Sequence, residues 1–289
     1  MQATDRRQNL RMHIGQCKCI EPASVFDVIS ARVADLVGFE VGMLAGSIAS
    51  AVVLGAPDLA VITLTEVADL ARRITKASNL SLIVDADHGY GNALNVIRAI
   101  GELEAAGVSA ITIEDTDLPS PFGRLQDIQV ISISEMTAKL RAALMAREDP
   151  SLMVVGRTSS LSVNGIEETI ARVRAYTEVG VDAIFITNVK SRQQLKAIHA
   201  ATPLPLFLGS MPHNLEDNGF LASTGVRIAV KGHLPFQEAV EGIYRALKSQ
   251  IDGKKLEKVP GKSIPAQLLA RILHHDTHSR WQKEYLKGI

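Results

Sequence analysis

The stretches GELEAAGVSAITIEDT, residues 101–116, and AYTEVGVDAIFITN, residues 175–188, repeat one phrase, and that phrase decides the fold. In each, an amphipathic run ends at Gly107 or Gly180, and a short apolar run follows that closes on polar or acidic residues. Physically this is a helix stopped by a glycine cap, a tight turn, and then a strand buried on both faces. A third copy, ADLVGFEVGMLAGS, stands at 34–47. Helix and buried strand in alternation spell a parallel sheet.

Working outward, apolar runs at 23–27, 41–46, 82–87, 110–114, 153–158, 183–187, 205–209 and 227–231 qualify as strands, with helical patterns between them. Eight such strands predict closure into a (β/α)8 TIM-type barrel over residues 1–250. An open doubly wound sheet is the runner-up, but it more naturally uses about five to seven strands. The segment TEVADLARRITKA at 65–77 puts Val67, Leu70, Ala71 and Ile74 on one helical face. SEMTAKLRAALMA at 134–146 opens on a serine suited to capping. After residue 250 a charged linker, DGKKLEKVPGKSIP, leads to a C-terminal helical arm, 251–289, with its own apolar stripe at Leu268, Leu269, Ile272, Leu273, Trp281 and Tyr285. Such an arm either folds back on its own barrel or exchanges with a neighbouring subunit.

Composition agrees with this architecture and excludes several functions. The chain is 46% hydrophobic but only 4% aromatic, so the core is aliphatic, as buried parallel strands require. Lys plus Arg and Asp plus Glu both number 31, which leaves no basic field to attract nucleic acid or anionic lipid. No run approaches the ~20 apolar residues of a membrane span, and the N-terminal MQATDRRQNLRMHI is polar. Cys17 and Cys19, with a single residue between them, read as free thiols in a reducing cytoplasm.

In a parallel barrel the chemistry lies at the C-terminal ends of the strands, and here those ends are acidic. VDADHGYGN places Asp85 and Asp87 two residues apart, hence on one face of the third strand. TIEDT adds Glu114 and Asp115 after the fourth, and GAPD supplies Asp58 after the second. Carboxylates converging on one mouth repel unless a cation or protons neutralise them, and oxygen-only donors suit Mg²⁺ or Mn²⁺ rather than zinc. Taken singly, Asp87 or Asp115 serves equally well as a helix cap. Arg157, closing the buried run of VVGRTSS, suits bidentate recognition of a carboxylate. His233, after the eighth strand in KGH, is a candidate proton or hydrogen-bond donor, and Ser47 with the amides that follow it could donate to a developing oxyanion. The glycines of DHGYGN lack the lysine of a phosphate-binding loop and read as a tight turn.

Together SVFDVISARVADLVGFE, GSIAS, VDADHGYGNALNV, ITIEDT and VVGRTSS resemble the isocitrate lyase and phosphoenolpyruvate mutase superfamily, over roughly residues 20–250. The resemblance implies an Mg²⁺-dependent barrel acting on small 2-oxo acids or related phosphonates, as a homotetramer with an exchanged C-terminal helix. It implies that Asp58, Asp85, Asp87 and Glu114 form the metal site, partly through water, and that Arg157 binds the substrate carboxylate. Ser47, Ile48 and Ala49 resemble the pocket for the other end of the 2-oxo acid. Where the lyase branch carries a cysteine in a KKCGH loop, this chain reads DLPSPFGRLQD, and the mutase branch's lysine and asparagine are missing as well. The histidine after the eighth strand is similar to that of the branch that decarboxylates oxaloacetate, which assigns catalysis to His233, Arg157 and Ser47. The expected reaction is decarboxylation of oxaloacetate to pyruvate and CO₂. The alternatives are C–C cleavage of a 2-methylisocitrate-like or 2-alkylmalate substrate, and a barrel that only binds a 2-oxo acid.

Overall fold

Gly38, Gly107 and Gly180, the glycines of the repeated phrase, have φ of +97°, +83° and +90°. Only glycine adopts these values without strain, so each helix stops there and the next apolar run begins. The computed structural model describes residues 1–123, 128–209, 212–253 and 264–287. Its strands are β1 (Ala23–Ser24), β2 (Val41–Leu44), β3 (Ser81–Asp85), β4 (Ala110–Glu114), β5 (Met153–Thr158), β6 (Ala183–Thr187), β7 (Leu206–Gly209) and β8 (Val226–Val230). They pair in parallel in the order β1 to β8, each with its sequence neighbour. Ile20 closes the ring by donating its N–H to the Arg227 carbonyl at 2.9 Å and accepting from the Ala229 N–H at 3.0 Å. The barrel expected from the repeat is the fold observed.

Where strand ends differ from expectation, helix capping explains it. β1 stops at Ser24 because Asp27 leaves the ladder to cap the helix Val28–Leu36, its carboxylate accepting from the Ser30 amide at 2.7 Å. β2 stops at Leu44 because Gly46 already opens the helix Gly46–Leu54. The cap of the helix Ile133–Ala146 is Ser132, two residues before the serine expected to cap it. The face formed by Val67, Leu70, Ala71 and Ile74 on the helix Leu64–Ala77 is buried, as its spacing requires.

Inward-facing side chains fill the barrel. Val41, Met43, Ile83, Ala110, Met153, Val155, Ala183, Phe185, Phe207 and Ile228 form one buried cluster, and Leu10 and Ile14 join it from the helix Ala3–Gly15. That helix plugs the end of the barrel remote from the strand C-termini. Arg7 donates to the carbonyls of Val108 (2.9 Å) and Glu104 (2.7 Å) and pairs with Asp149 at 2.7 Å, while Arg11 pairs with Asp182 at 2.7 Å. A second cluster, between strands and helices, completes the core.

The chain divides into two compact units, Met1–His233 and Leu234–Ile289. The expected division lay at residue 250, so the helix Leu234–Ile251 falls in the second unit, with the helices Ala266–Ile272 and His275–Tyr285. No helix among the described residues is long and apolar enough to cross a membrane.

Candidate active site

The period of two that packs the barrel also builds its mouth. Above Ile83 on β3 comes Asp85, above Ala110 on β4 come Thr112 and Glu114, above Val155 on β5 comes Arg157, and above Phe185 on β6 comes Thr187. Their side chains therefore share the interior face at the C-terminal end. A cavity of about 430 Å³ opens there, lined among others by Ser47, Asp58, Asp85, Arg157, Thr187, Lys231 and His233, with Met43, Phe185 and Val230 as its apolar floor.

Arg157 is the hub. Its Nη1 pairs with Asp85, its Nη2 lies 3.1 Å from Glu114 Oε2, and its guanidinium carbon sits 5.4 Å from the centre of the Phe185 ring. Burial opposes its charge, but Asp85 and Glu114 overcome that cost and hold the guanidinium above its ordinary pKa. Thr112 Oγ1 donates to the other Asp85 oxygen at 2.9 Å. The residue expected to face a substrate carboxylate thus spends both terminal nitrogens on the acidic wall.

Asp87 lies just beyond β3, with φ of +46°, and its carbonyl accepts from the Glu114 amide at 2.7 Å. Its carboxylate rests against Gly46, where a Cβ would stand 2.4 Å from Asp87 Oδ1. Burial, then the charges of Asp85, Asp58 and Glu114, push the Asp87 carboxyl up to about 8. Glu114 is raised chiefly by burial, against the pull of Arg157. Asp58, at the rim, is raised by partial desolvation and then by Asp85. Asp115 points the other way and is fully buried, accepting from Tyr176 Oη at 2.7 Å, from Arg172 at 3.1 Å and from the Ser159 amide at 3.1 Å. Alternation along β4 separates Glu114 inside from Asp115 outside.

His233 is half-buried on the cavity wall, its Nδ1 2.9 Å from Ser24 Oγ. Burial lowers its pKa against the opposing charge of Asp85. Ser47 lines the cavity from the first turn of the helix Gly46–Leu54, where backbone N–H groups have no intrahelical acceptor and suit an anion. Ile48 shares that turn with its side chain buried, whereas the Ala49 amide already donates to the Ala45 carbonyl at 2.9 Å. Sequence reasoning missed Ser24, Thr112, Phe185 and Lys231. The period-two count back from Glu114 and Thr187 carries the signal for Thr112 and Phe185. Nothing comparable marks Ser24.

Among the described residues no three or more His, Cys, Asp or Glu side chains converge as a preformed metal cage. The donor chemistry nonetheless fits a hard dication. Mg²⁺ commonly takes only one or two carboxylates and fills its shell with water and ligand oxygens. Asp85, Asp87, Glu114 and Asp58 are oxygen donors, and burial together with the neighbouring charges of Asp85, Asp58 and Glu114 raises Asp87 to about 8, a cost that a cation relieves.

A curated oxaloacetate decarboxylase of a Bradyrhizobium species is 48% identical over 267 residues, 91% of this chain and 92% of that one. One from Rhodopseudomonas palustris is 51% identical over 248 residues, 86% of each chain. Among solved structures, oxaloacetate acetylhydrolase in complex with 3,3-difluorooxalacetate superposes with a TM-score of 0.86 at 28% identity, covering 99% of both chains. Phosphonopyruvate hydrolase in complex with oxalate and Mg²⁺ superposes with a TM-score of 0.84 at 25% identity, covering 99% of this chain and 100% of the other. The model of the phosphoenolpyruvate phosphomutase family matches residues 15–251, and the chain belongs to that family.

Proposed function

We propose that this chain is a lyase that decarboxylates oxaloacetate to pyruvate and CO₂ with Mg²⁺, for which Mn²⁺ substitutes. One observation carries the reading: Asp85 and Arg157, on β3 and β5, face across a single cavity toward Lys231 and His233 at the end of β8. Such a cavity receives a small dianion with its 2-oxo acid end toward Asp85 and Arg157 and its far carboxylate toward Lys231 and His233. The relatives named oxaloacetate decarboxylase, about half identical over most of the chain, support that substrate.

In this reaction the C3–C4 bond breaks, its electron pair moves toward the C2 carbonyl, CO₂ leaves, and the resulting pyruvate enolate takes up a proton at C3. No protein nucleophile is required. Mg²⁺ held by Asp85, with Asp87, Glu114 and Asp58 acting directly or through water, would supply Lewis-acid stabilisation of the charge developing at the 2-oxo oxygen. Arg157 binds the C1 carboxylate by exchanging its pair with Asp85 or Glu114 for it, because both terminal nitrogens are engaged in the free protein. Ser47 and the Ile48 amide orient the same end of the substrate from a helix N-terminus. His233 donates to the carboxylate that departs. Met43, Phe185 and Val230 keep the floor dry, which strengthens each polar contact.

Two further parts of the proposal concern the whole protein. The free thiols Cys17 and Cys19 suit a reducing cytoplasm. The helix Leu234–Ile251 has no buried residue and carries Ile243, Tyr244, Leu247 and Ile251 exposed, which supports a homotetramer whose C-terminal arms are exchanged. The test of the reaction is pyruvate release from oxaloacetate by the purified chain with Mg²⁺, measured against the metal-only rate, with Asp85→Ala as control. Release above that rate, abolished in the variant, is expected. Oxalate and acetate as products would replace decarboxylation by hydrolysis, and no turnover at all would overturn the reading.

A further inference from the structure

The seam between β8 and β1 is where the barrel has fewest backbone hydrogen bonds. β1 contributes only Ala23 and Ser24 to its ladder with β2, and a lone bridge from Ile20 reaches β8. Side chains cross the seam instead. Glu21 Oε2 holds Lys231 Nζ at 3.1 Å, and Ser24 Oγ meets His233 Nδ1 at 2.9 Å. These two pins flank Gly232, whose φ is +106°, so the segment bearing Lys231 and His233 is anchored on either side of its most permissive residue.

We propose that Ser24 is a positioning residue for His233: its hydroxyl donates to Nδ1 and holds the ring in the Nε2–H tautomer, with that N–H turned to the cavity. The donor direction follows from the partners available. His233 is the one side chain among the described residues with which the Ser24 hydroxyl is hydrogen-bonded. If Nδ1–H donated to Oγ, the hydroxyl hydrogen would be left without a protein acceptor, whereas donation satisfies hydroxyl and ring nitrogen together. Burial disfavours the doubly protonated ring, so the species held is the neutral one.

The tautomer decides what His233 can do, because the bond made by one ring nitrogen sets the role of the other. A neutral ring with Nε2–H inward donates a hydrogen bond to an anion and has no lone pair there with which to remove a proton. Resting on the proposed decarboxylation, this makes His233 the donor that orients the far carboxylate rather than a general base. A neutral donor suits that task, since a full positive charge would hold the carboxylate and oppose its departure.

The test uses the full-length protein with Mg²⁺ and ¹⁵N-labelled histidine, with the His233 signals assigned through His233→Asn. Long-range proton–nitrogen correlation spectra should show a protonated Nε2 and a bare Nδ1 in the wild type and in Ser24→Thr, and averaged nitrogen shifts of a tautomer mixture in Ser24→Ala. With oxaloacetate, kcat/KM should fall about tenfold in Ser24→Ala, the effect of one lost hydrogen bond, and recover in Ser24→Thr. A wild-type spectrum with Nδ1 protonated, or one unchanged in Ser24→Ala, would overturn the proposal. Because the spectra need no substrate, they judge Ser24 even if oxaloacetate proves to be the wrong one.

Discussion

Gly46 and Asp87 come from different elements and share one volume. A methyl group on Gly46 would stand 2.4 Å from Asp87 Oδ1, so in Gly46→Ala the carboxylate must move away from the acidic wall. Alanine is the better helix former by roughly 0.5–1 kcal/mol, so stability should hardly suffer. A displacement of about 1 Å in a catalytic constellation costs on the order of 100-fold in rate. Gly46→Ala is therefore expected to lose about 100-fold in kcat/KM with an unchanged melting temperature, and equal losses of activity and stability would contradict it. Asp87 also leaves a pH signature in chelator-treated protein. Its carboxyl titrates near 8 in the folded chain and about 3.9 in the unfolded one, so between those values the folded state binds the extra proton. Stability from this group is thus present below about pH 4 and falls as pH rises toward 8, by at most about 1.4 kcal/mol per pH unit. Denaturant titrations at pH 5 to 8 should show a steeper decline in wild type than in Asp87→Asn; parallel slopes would refute the assignment. A dication competes with that proton, so the gain in melting temperature on adding Mg²⁺ should be larger at pH 8 than at pH 6.

At the scale of elements, the pairing of β4 with the helix Ile166–Val179 carries a buried charge network. Asp115 is fully buried and held by Arg172 and Tyr176. Removing the cation alone leaves a buried carboxylate uncompensated, a loss of about 3–5 kcal/mol. Arg172→Leu should therefore melt roughly 10 °C lower, at the 2–4 °C per kcal/mol typical of chains this long. The double variant Arg172→Leu with Asp115→Asn should recover part of that drop, and calorimetry showing no recovery would argue against the network. Asp115 also marks how far the sequence could be read. ITIEDT announces two acids at a strand end, and period two says that they point oppositely, but which one enters the barrel depends on the register of β4 against β5, where Glu114 meets Arg157. The strands themselves were legible because glycine caps and aliphatic runs are local signals. The plug helix Ala3–Gly15 was not, since it buries only Arg6, Arg7, Leu10 and Ile14 and joins the barrel through arginines that read as surface charge. The pairing of Arg157 with Asp85 and Glu114 was likewise invisible, because it depends on three strands meeting.

At the scale of the whole molecule, the helix Leu234–Ile251 has no buried residue. Its exposed Val240, Ile243, Tyr244, Leu247 and Ile251 recur at intervals of three and four residues, which makes a continuous stripe along one side. Helices in proteins draw most of their stability from packing an apolar face. Covering one such side chain contributes about 1.5–3 kcal/mol, so four or five together are of the same order as the cost of association, about 4–15 kcal/mol. If the proposed tetramer forms through this face, sedimentation equilibrium should give four times the 31.1 kDa of one chain. Ile243→Glu combined with Leu247→Glu should shift the protein to smaller species, while the wild-type melting temperature should rise with protein concentration as mass action requires. A wild type that sediments as a monomer would refute the oligomer itself. A tetramer untouched by the two charges would keep the oligomer and remove this helix from its interface.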